Sequence, residues 1–435
     1  MKITNSAVKI TPFGGFNFVF KSFNDSGLSD LIDKHLGMRV KTFGFSYSDI
    51  FLNHLAVFFN GGDCTEDVND HLREHLQNVR GMQVCSADTI LRGIKELSTE
   101  TLFMENPDSG VKHEFNLNPK LNDLLVKGLK QTGQLKSNRL YDLDYDNQVQ
   151  PTEKYDAEKT YKKTYGYQSG IASIANPITG QAMPVYIEGR NGNSQAKYLQ
   201  EETLERAFSN LEINGIKVGR FRADAASYQK KVIELVERQD SLFYIRAKRC
   251  TKMDDMIGSI DKDDWEKVRL GIQEMEVANI PCYSPFGGEK HYRLVISRIK
   301  RRDSQTDIFT GEAYTYRGIL TNDMEGSDKS IVEFYNARGE SERLFDVMNN
   351  DFGWAKMPCS FLSQNTAFMI MTAIYANFYS YIIREYSKKL SWLKPNYRLK
   401  KFVFRFITVA AKWVRTGRKH VLKLFTHKDY SQLLT

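Results

Sequence analysis

Over the first 130 residues the apolar positions recur at helical spacing. Leu28, Leu31, Ile32 and Leu36 share one helical face, Leu52, Leu55, Phe58 and Phe59 another, and Gly61-Gly62-Asp63 breaks the pattern. Residues 1–130 therefore predict a helical N-terminal domain. Within it Ser86 stands as the cap of a helix through Thr89, Ile90, Leu91, Ile94 and Leu97, with Arg92 and Lys95 away from the apolar side. Paired with His71–Asn78, this segment has the outline of a DNA-reading helix-turn-helix, although helix pairs of this kind also pack as plain core.

From Ser137 the period changes to two, beginning with Leu140, Tyr141, Leu143 and Tyr145. Strands are predicted at Tyr165–Ile174 and Met183–Glu188, around the turn Asn176-Pro177-Ile178-Thr179-Gly180. A helix follows at Ser194–Leu211, then a strand Lys217–Ala223, a helix Ser227–Arg238 and a strand Leu242–Ala247. Three strands, helix, strand, helix, strand is the order of an α/β ribonuclease-H-like core, in which the first and fourth strands lie side by side. Residues 131–247 read as the first part of that core. Residues 248–329, highly charged and with strand-like pieces at Tyr292–Ile299 and Tyr314–Leu320, read as a mixed insertion domain. Residues 330–385 complete the core with helices Ser330–Asn349 and Asn365–Glu385, and 386–435 form a basic, helical C-terminal tail. The apolar run Phe368–Ile383 is short for a membrane span and holds Asn377, so it reads as a buried core helix and no membrane partner is expected.

The chain's 435 residues give room for two or three domains, and 41% hydrophobic with 12% aromatic residues exclude a disordered polymer. Net charge is +8, but Tyr386–Lys428 carries 13 Lys or Arg and no acid, leaving 48 basic against 53 acidic residues elsewhere. Interleaved with Phe402, Phe404, Phe406 and Trp413, that block points to a polyanion such as the DNA backbone. A solvated amphipathic helix is the plainer alternative. Cys64, Cys85, Cys250, Cys282 and Cys359 show no zinc or redox spacing and the start is not of the secretory type, so a cytoplasmic, nucleoid-associated protein is expected.

Three elements carry candidate chemistry. Asp142, Asp144 and Asp146 alternate at the end of the first strand and share a face, a crowding that a divalent cation relieves; a solvated acidic loop would show the same run. Asp224 ends the strand in Arg222-Ala223-Asp224, where it serves either a metal or the N-cap of the next helix. Tyr335, Arg338, Glu342 and Asn349, spaced by 3, 4 and 7 residues, share a helical stripe. Glu342 can complete a carboxylate trio there while Tyr335 and Arg338 offer donors to a phosphate; an Arg–Glu surface pair is the alternative.

In this order the three elements resemble bacterial DDE transposases of insertion sequences, in the group numbered 1380 and its relatives in the group numbered 4. The resemblance lies at Leu143-Asp144, at Arg222-Ala223-Asp224, and from Tyr335 through Arg338 and Glu342 to Asn350-Asp351-Phe352-Gly353-Trp354. It extends to Gly61–Asp67, Ser86–Leu97 and the tail around Trp413–Leu424. The family motif ends on a lysine seven residues past the glutamate, where this chain has Asn349. The resemblance implies that Asp144, Asp224 and Glu342 are catalytic and hold two Mg²⁺ or Mn²⁺ ions. It also implies that Tyr335, Arg338, Asn349 and Arg222 contact DNA phosphates. The implied substrate is double-stranded DNA, both terminal inverted repeats and target, cut and joined at 3′ ends by a homodimer. The competing readings are a catalytically inactive DNA-binding relative and a ribonuclease-H-like nuclease without strand transfer.

Overall fold

The N-terminal region holds α1 (Phe16–Asp25), which lies before the first predicted apolar face, and then α2 (Leu28–Leu36), α3 (Tyr47–Phe59), α4 (Arg73–Leu76) and α5 (Ala87–Glu96) in the segments expected to be helical. A capping box opens α3, with Ser46 Oγ accepting from Asp49 N and Asp49 Oδ2 accepting from Ser46 N. Ser86 caps α5 by accepting from Thr89 N. The computed structural model describes residues 1–4, 8–39, 44–107, 109–177, 179–301 and 314–434.

Two features depart from the helical expectation. A β-hairpin, β1 (Leu102–Glu105) and β2 (Lys112–Asn116), precedes α6 (Pro119–Gln131). The segment Gln77–Ser86 between α4 and α5 is far longer than the three- or four-residue turn of a helix-turn-helix. Gly93 of α5 sits against Ile50 of α3, so the buried side of α5 is a packing face, while Arg92 and Lys95 are exposed.

The core follows as β3 (Leu140–Pro151), β4 (Glu158–Lys159), β5 (Tyr165–Ala175), β6 (Ala182–Arg190), α7 (Gln200–Ile213), β7 (Lys217–Ala223), α8 (Lys230–Arg238) and β8 (Leu242–Arg246). In the turn between β5 and β6, Gly180 N donates to Asn176 O at 2.9 Å; Ile178 of the expected turn lies outside the described residues. The strands lie in the order β6-β5-β3-β7-β8, with β5 antiparallel to its neighbours and β3, β7 and β8 parallel.

The charged stretch that follows holds α9 (Thr251–Gly258), β9 (Glu266–Leu270), β10 (Gln273–Tyr283), β11 (Tyr292–Lys300) and β12 (Tyr314–Thr321). It continues the sheet. β12 pairs antiparallel with β8 and the order runs on through β11, β10 and β9, while β2 and β1 extend the other end from β6. Among the described residues the result is one mixed sheet of 12 strands.

Alternation along β3 decides what covers each face. Tyr141, Leu143 and Tyr145 turn into a core built with Leu204 and Phe208 of α7 and Val232 and Val236 of α8. Asp142, Asp144 and Asp146 therefore turn to the opposite face. That face is covered by α10 (Asp328–Asn336), α11 (Gly339–Asp351) and α12 (Leu362–Lys389). The helix α12 is long and apolar enough to cross a membrane by length and composition, yet it is buried inside the protein. It approaches β6 so closely that a Cβ at Gly189 would collide with Thr366 Oγ1. Gly189→Val should accordingly lower the melting temperature sharply, and an unchanged melt would show that α12 does not close on β6 as described.

The basic tail is not the helix that its charge suggests. After the short α13 (Leu399–Phe402) and a π-helical turn Val403–Ile407, it forms the hairpin β13 (Ala411–Thr416) and β14 (Lys419–Leu424). Its two-residue turn, Gly417-Arg418, has φ +61 at Gly417, the conformation that tight hairpins require and side chains resist.

Candidate active site at the ends of β3 and β7

Register decides which aspartates meet. Asp142 pairs with Arg220, Asp144 with Arg222 and Tyr145 with Ala223, so Asp146 and Asp224 stand one residue beyond the last paired positions of the two parallel strands. Each of the first two aspartates is neutralised by its neighbour. Arg220 Nε and Nη2 donate to Asp142 at 2.6 and 2.7 Å. Arg222 Nε and Nη2 donate to Asp144 at 2.6 and 2.7 Å, and Arg222 Nη1 donates to the Phe334 carbonyl at 2.5 Å. Asp144 and Arg222 are 1% and 3% exposed. Burial raises the Asp144 carboxyl, and Arg222 pulls the other way.

Two of the expected site residues are thus paired with each other. Asp144 has both oxygens engaged in a buried fork, so a metal could bind it only by breaking that pair. Arg222 spends three of its N–H groups on Asp144 and the Phe334 carbonyl, lies 4.4 Å from the centre of the Phe334 ring and is buried, so it is turned away from solvent. Tyr335 is likewise inward: it is 9% exposed and its hydroxyl donates to the Ala223 carbonyl at 3.3 Å. Asn349 accepts from Gln148 Nε2 at 2.8 Å, which ties α11 to β3, and it supplies no cation where the family motif has lysine.

Asp146 is different. Its Oδ2 accepts from Arg338 Nη2 at 2.5 Å, and burial together with the charges of Asp224 and Glu342 pushes its pKa up to about 6 against the pull of Arg338. Arg338 is held charged by Asp146, Tyr335, Asp224 and Asp144, which outweigh its burial. Asp224 Oδ1 accepts from Ala226 N at 2.9 Å as cap of the short turn Ala225–Ser227, while α8 itself starts after Gln229. Glu342 is exposed in the first turn of α11. The expected stripe from Tyr335 to Asn349 is not one helix, because α10 ends at Asn336 and α11 begins at Gly339, with Arg338 at the junction.

Several polar atoms on these elements lack partners among the described residues: Gln148 Oε1, Arg338 Nε and Ser341 Oγ are buried without a hydrogen bond. Three carboxylates supply only oxygen ligands, the donor set of Mg²⁺ and Mn²⁺, and the orphaned groups beside them fit a hydrated ion or a phosphate. The trio is not drawn tightly together. Among the described residues only Asp63, Cys64 and Asp67 bring ligand atoms all within 4.8 Å, and there the cause is local, since Asp67 Oδ2 caps Asp63 N and Cys64 N at 2.9 and 3.2 Å. At the trio, Arg338 occupies the space beside Asp146.

Residues 2–435 match the family described as Transposase DDE domain group 1, and the chain belongs to that family. The protein is a DNA transposase, an enzyme that cleaves and joins DNA, from a family that generally uses divalent metal ions. No curated protein matches the sequence. Among solved structures, the piggyBac transposase synaptic complex with hairpin DNA is similar at 11% identity and a TM-score of 0.40, over 91% of this chain and 80% of that chain.

Proposed function

We propose that the protein is an insertion-sequence transposase of the group numbered 1380, acting as a homodimer on double-stranded DNA, with a ribonuclease-H-like core whose metal-holding residues are Asp146, Asp224 and Glu342. The observation that carries this reading is the position of Asp146: it follows the last paired row of β3 and β7 beside Asp224, and it feels the charges of both Asp224 and Glu342. Two Mg²⁺ or Mn²⁺ ions bound there would activate water and then a DNA 3′-hydroxyl, and would stabilise the attacking and leaving oxygens of the phosphodiester.

The chain's own residues have separable tasks. Asp146 and Asp224 present oxygen ligands from neighbouring strands, and Glu342 presents one from α11. Arg338, whose Nε has no partner, is the donor placed to hold a phosphate beside the carboxylates. The bonds of Tyr335 to Ala223 and of Asn349 to Gln148 fasten α10 and α11 to the strands, so both residues position Arg338 and Glu342.

The test is cleavage of labelled DNA that carries the element's own terminal repeats, followed across Mg²⁺ concentration. Glu342→Ala should abolish cleavage at every concentration, whereas Arg338→Ala should slow it and leave the metal dependence nearly unchanged. Near-normal cleavage by Glu342→Ala would overturn the assignment. Wild-type products should include element ends covalently joined to target DNA; hydrolysis alone would favour a nuclease without strand transfer.

Protons compete with metal at Asp146. Because this carboxyl titrates near 6, the metal concentration giving half-maximal cleavage should rise as pH falls through 6, by about tenfold per unit below it. A half-saturating concentration that stays constant from pH 7 to pH 5 would contradict a metal at this residue.

A further inference from the structure

The C-terminal hairpin has a fixed base and a free blade. At the base, Thr11 and Ala411 exchange backbone hydrogen bonds at 2.9 and 2.8 Å, Phe425 N donates to Ala410 O at 2.8 Å, and Leu424 packs on the main core. From Lys412 to Lys423 the two strands pair only with each other among the described residues. Arg415, Arg418, Lys419 and Lys423 are all exposed. No ion pair holds them among the described residues.

Register makes this blade self-repelling. Lys412 lies directly opposite Lys423. Like charges facing each other weaken an antiparallel pair, and no Asp or Glu between Tyr386 and Lys428 offsets them. Trp413 and Val421 remain 36% and 42% exposed along the same strands. A ribbon with excess cations and exposed apolar side chains complements a partner with anionic rims and a floor of base edges that includes apolar methyl groups.

Dimensions narrow the choice to one part of that partner. Two strands lie about 4.8 Å apart, and six residues extend roughly 20 Å. The B-DNA major groove is about 12 Å wide and admits a two-stranded ribbon. We propose that Lys412–Lys423 is a β-ribbon arm that enters the major groove of duplex DNA, with Arg415, Arg418, Lys419 and Lys423 on the flanking phosphates. The proposal rests on the transposase reading for its choice of duplex DNA as partner, and it adds the element and the groove.

The experiment is binding of the full-length protein, without metal, to a duplex carrying its own element end, titrated with salt. The variant Arg415→Ala/Arg418→Ala/Lys419→Ala/Lys423→Ala should show a salt slope shallower by roughly three to four, at about 0.9 per lost phosphate contact. Its affinity near physiological salt should fall at least about tenfold. Arg415→Lys/Arg418→Lys, which keeps the charge, should retain the wild-type slope. A duplex saturated with the major-groove dye methyl green should be refused, and one saturated with the minor-groove ligand netropsin should be bound. An unchanged slope in the quadruple variant, or competition by netropsin instead of methyl green, would overturn the proposal. Should the quadruple variant melt early, Arg418→Glu and Lys419→Glu at the exposed turn decide by the same slope. Steep salt-dependent binding by a protein that cuts no DNA once Mg²⁺ is supplied would count against the transposase reading alone, whereas Mg²⁺-supported cleavage with an unaltered slope in the variants would sink the ribbon alone.

Discussion

Asp146→Asn is expected to abolish metal-dependent cleavage while the protein keeps its fold and its grip on DNA. The change removes one charge and almost no volume. It also relieves repulsion, since Asp146 is raised to about 6 partly by Asp224 and Glu342. The stability cost is the lost ion pair to Arg338, whose partly exposed side chain can reach water or Asp224. Activity is another matter, because an amide is a poor ligand for a hard cation. The fall should exceed the roughly ten- to hundredfold that groups supporting a metal ligand typically cost. Cleavage rate and thermal melting, measured on the same preparation, check both halves; cleavage within tenfold of wild type would remove Asp146 from the centre.

Asp144→Asn should do nearly the reverse. Arg222 would keep its charge in a site 3% exposed, lose the opposite charge of its partner and keep at most one of the two hydrogen bonds it makes there. Breaking one side of a buried pair in this way costs about 3–5 kcal/mol, a large fraction of the stability of an ordinary domain. Denaturant unfolding should show the loss. The double change Asp144→Leu/Arg222→Met, which removes both charges and keeps volume, should recover most of it. If Asp144→Asn unfolds at the wild-type midpoint yet cannot cleave, the pair is not structural and Asp144 belongs to the chemistry.

The contrast between these aspartates explains what the sequence could and could not reveal. Alternation from Leu140 to Asp146 and the strand Lys217–Ala223 are legible because one face of each strand is apolar, and that suffices to put the aspartates together on the other face. It does not say which of the three stands level with Asp224. Only the pairing of Tyr145 with Ala223 does, and inter-strand register is set by contacts between segments about 80 residues apart. Arg220 and Arg222 carried the missing signal: arginines alternating in step with Asp142 and Asp144 leave Asp146 as the unmatched member.

Two other elements were obscured by composition. In Lys412–Leu424 the charge density masked a period-two pattern with Gly417-Arg418 at its turn, so a hairpin read as an amphipathic helix. The strands Leu102–Glu105 and Lys112–Asn116 are four and five residues long, too brief to show a period among the surrounding helices, and they become strands by pairing at the end of the sheet beyond β6. By contrast α12 was legible, since a long and mostly apolar run bounded by polar ends has few ways to be buried.

Titration calorimetry with Mn²⁺ on the free protein addresses the centre most directly, because it reads ligands before any DNA chemistry intervenes. Wild type and Asp144→Leu/Arg222→Met should bind Mn²⁺ alike, and Asp146→Asn should bind it far more weakly or not at all. Mn²⁺ binding retained by Asp146→Asn and lost in a folded Asp144→Leu/Arg222→Met would contradict the assignment and return Asp144 to the metal site.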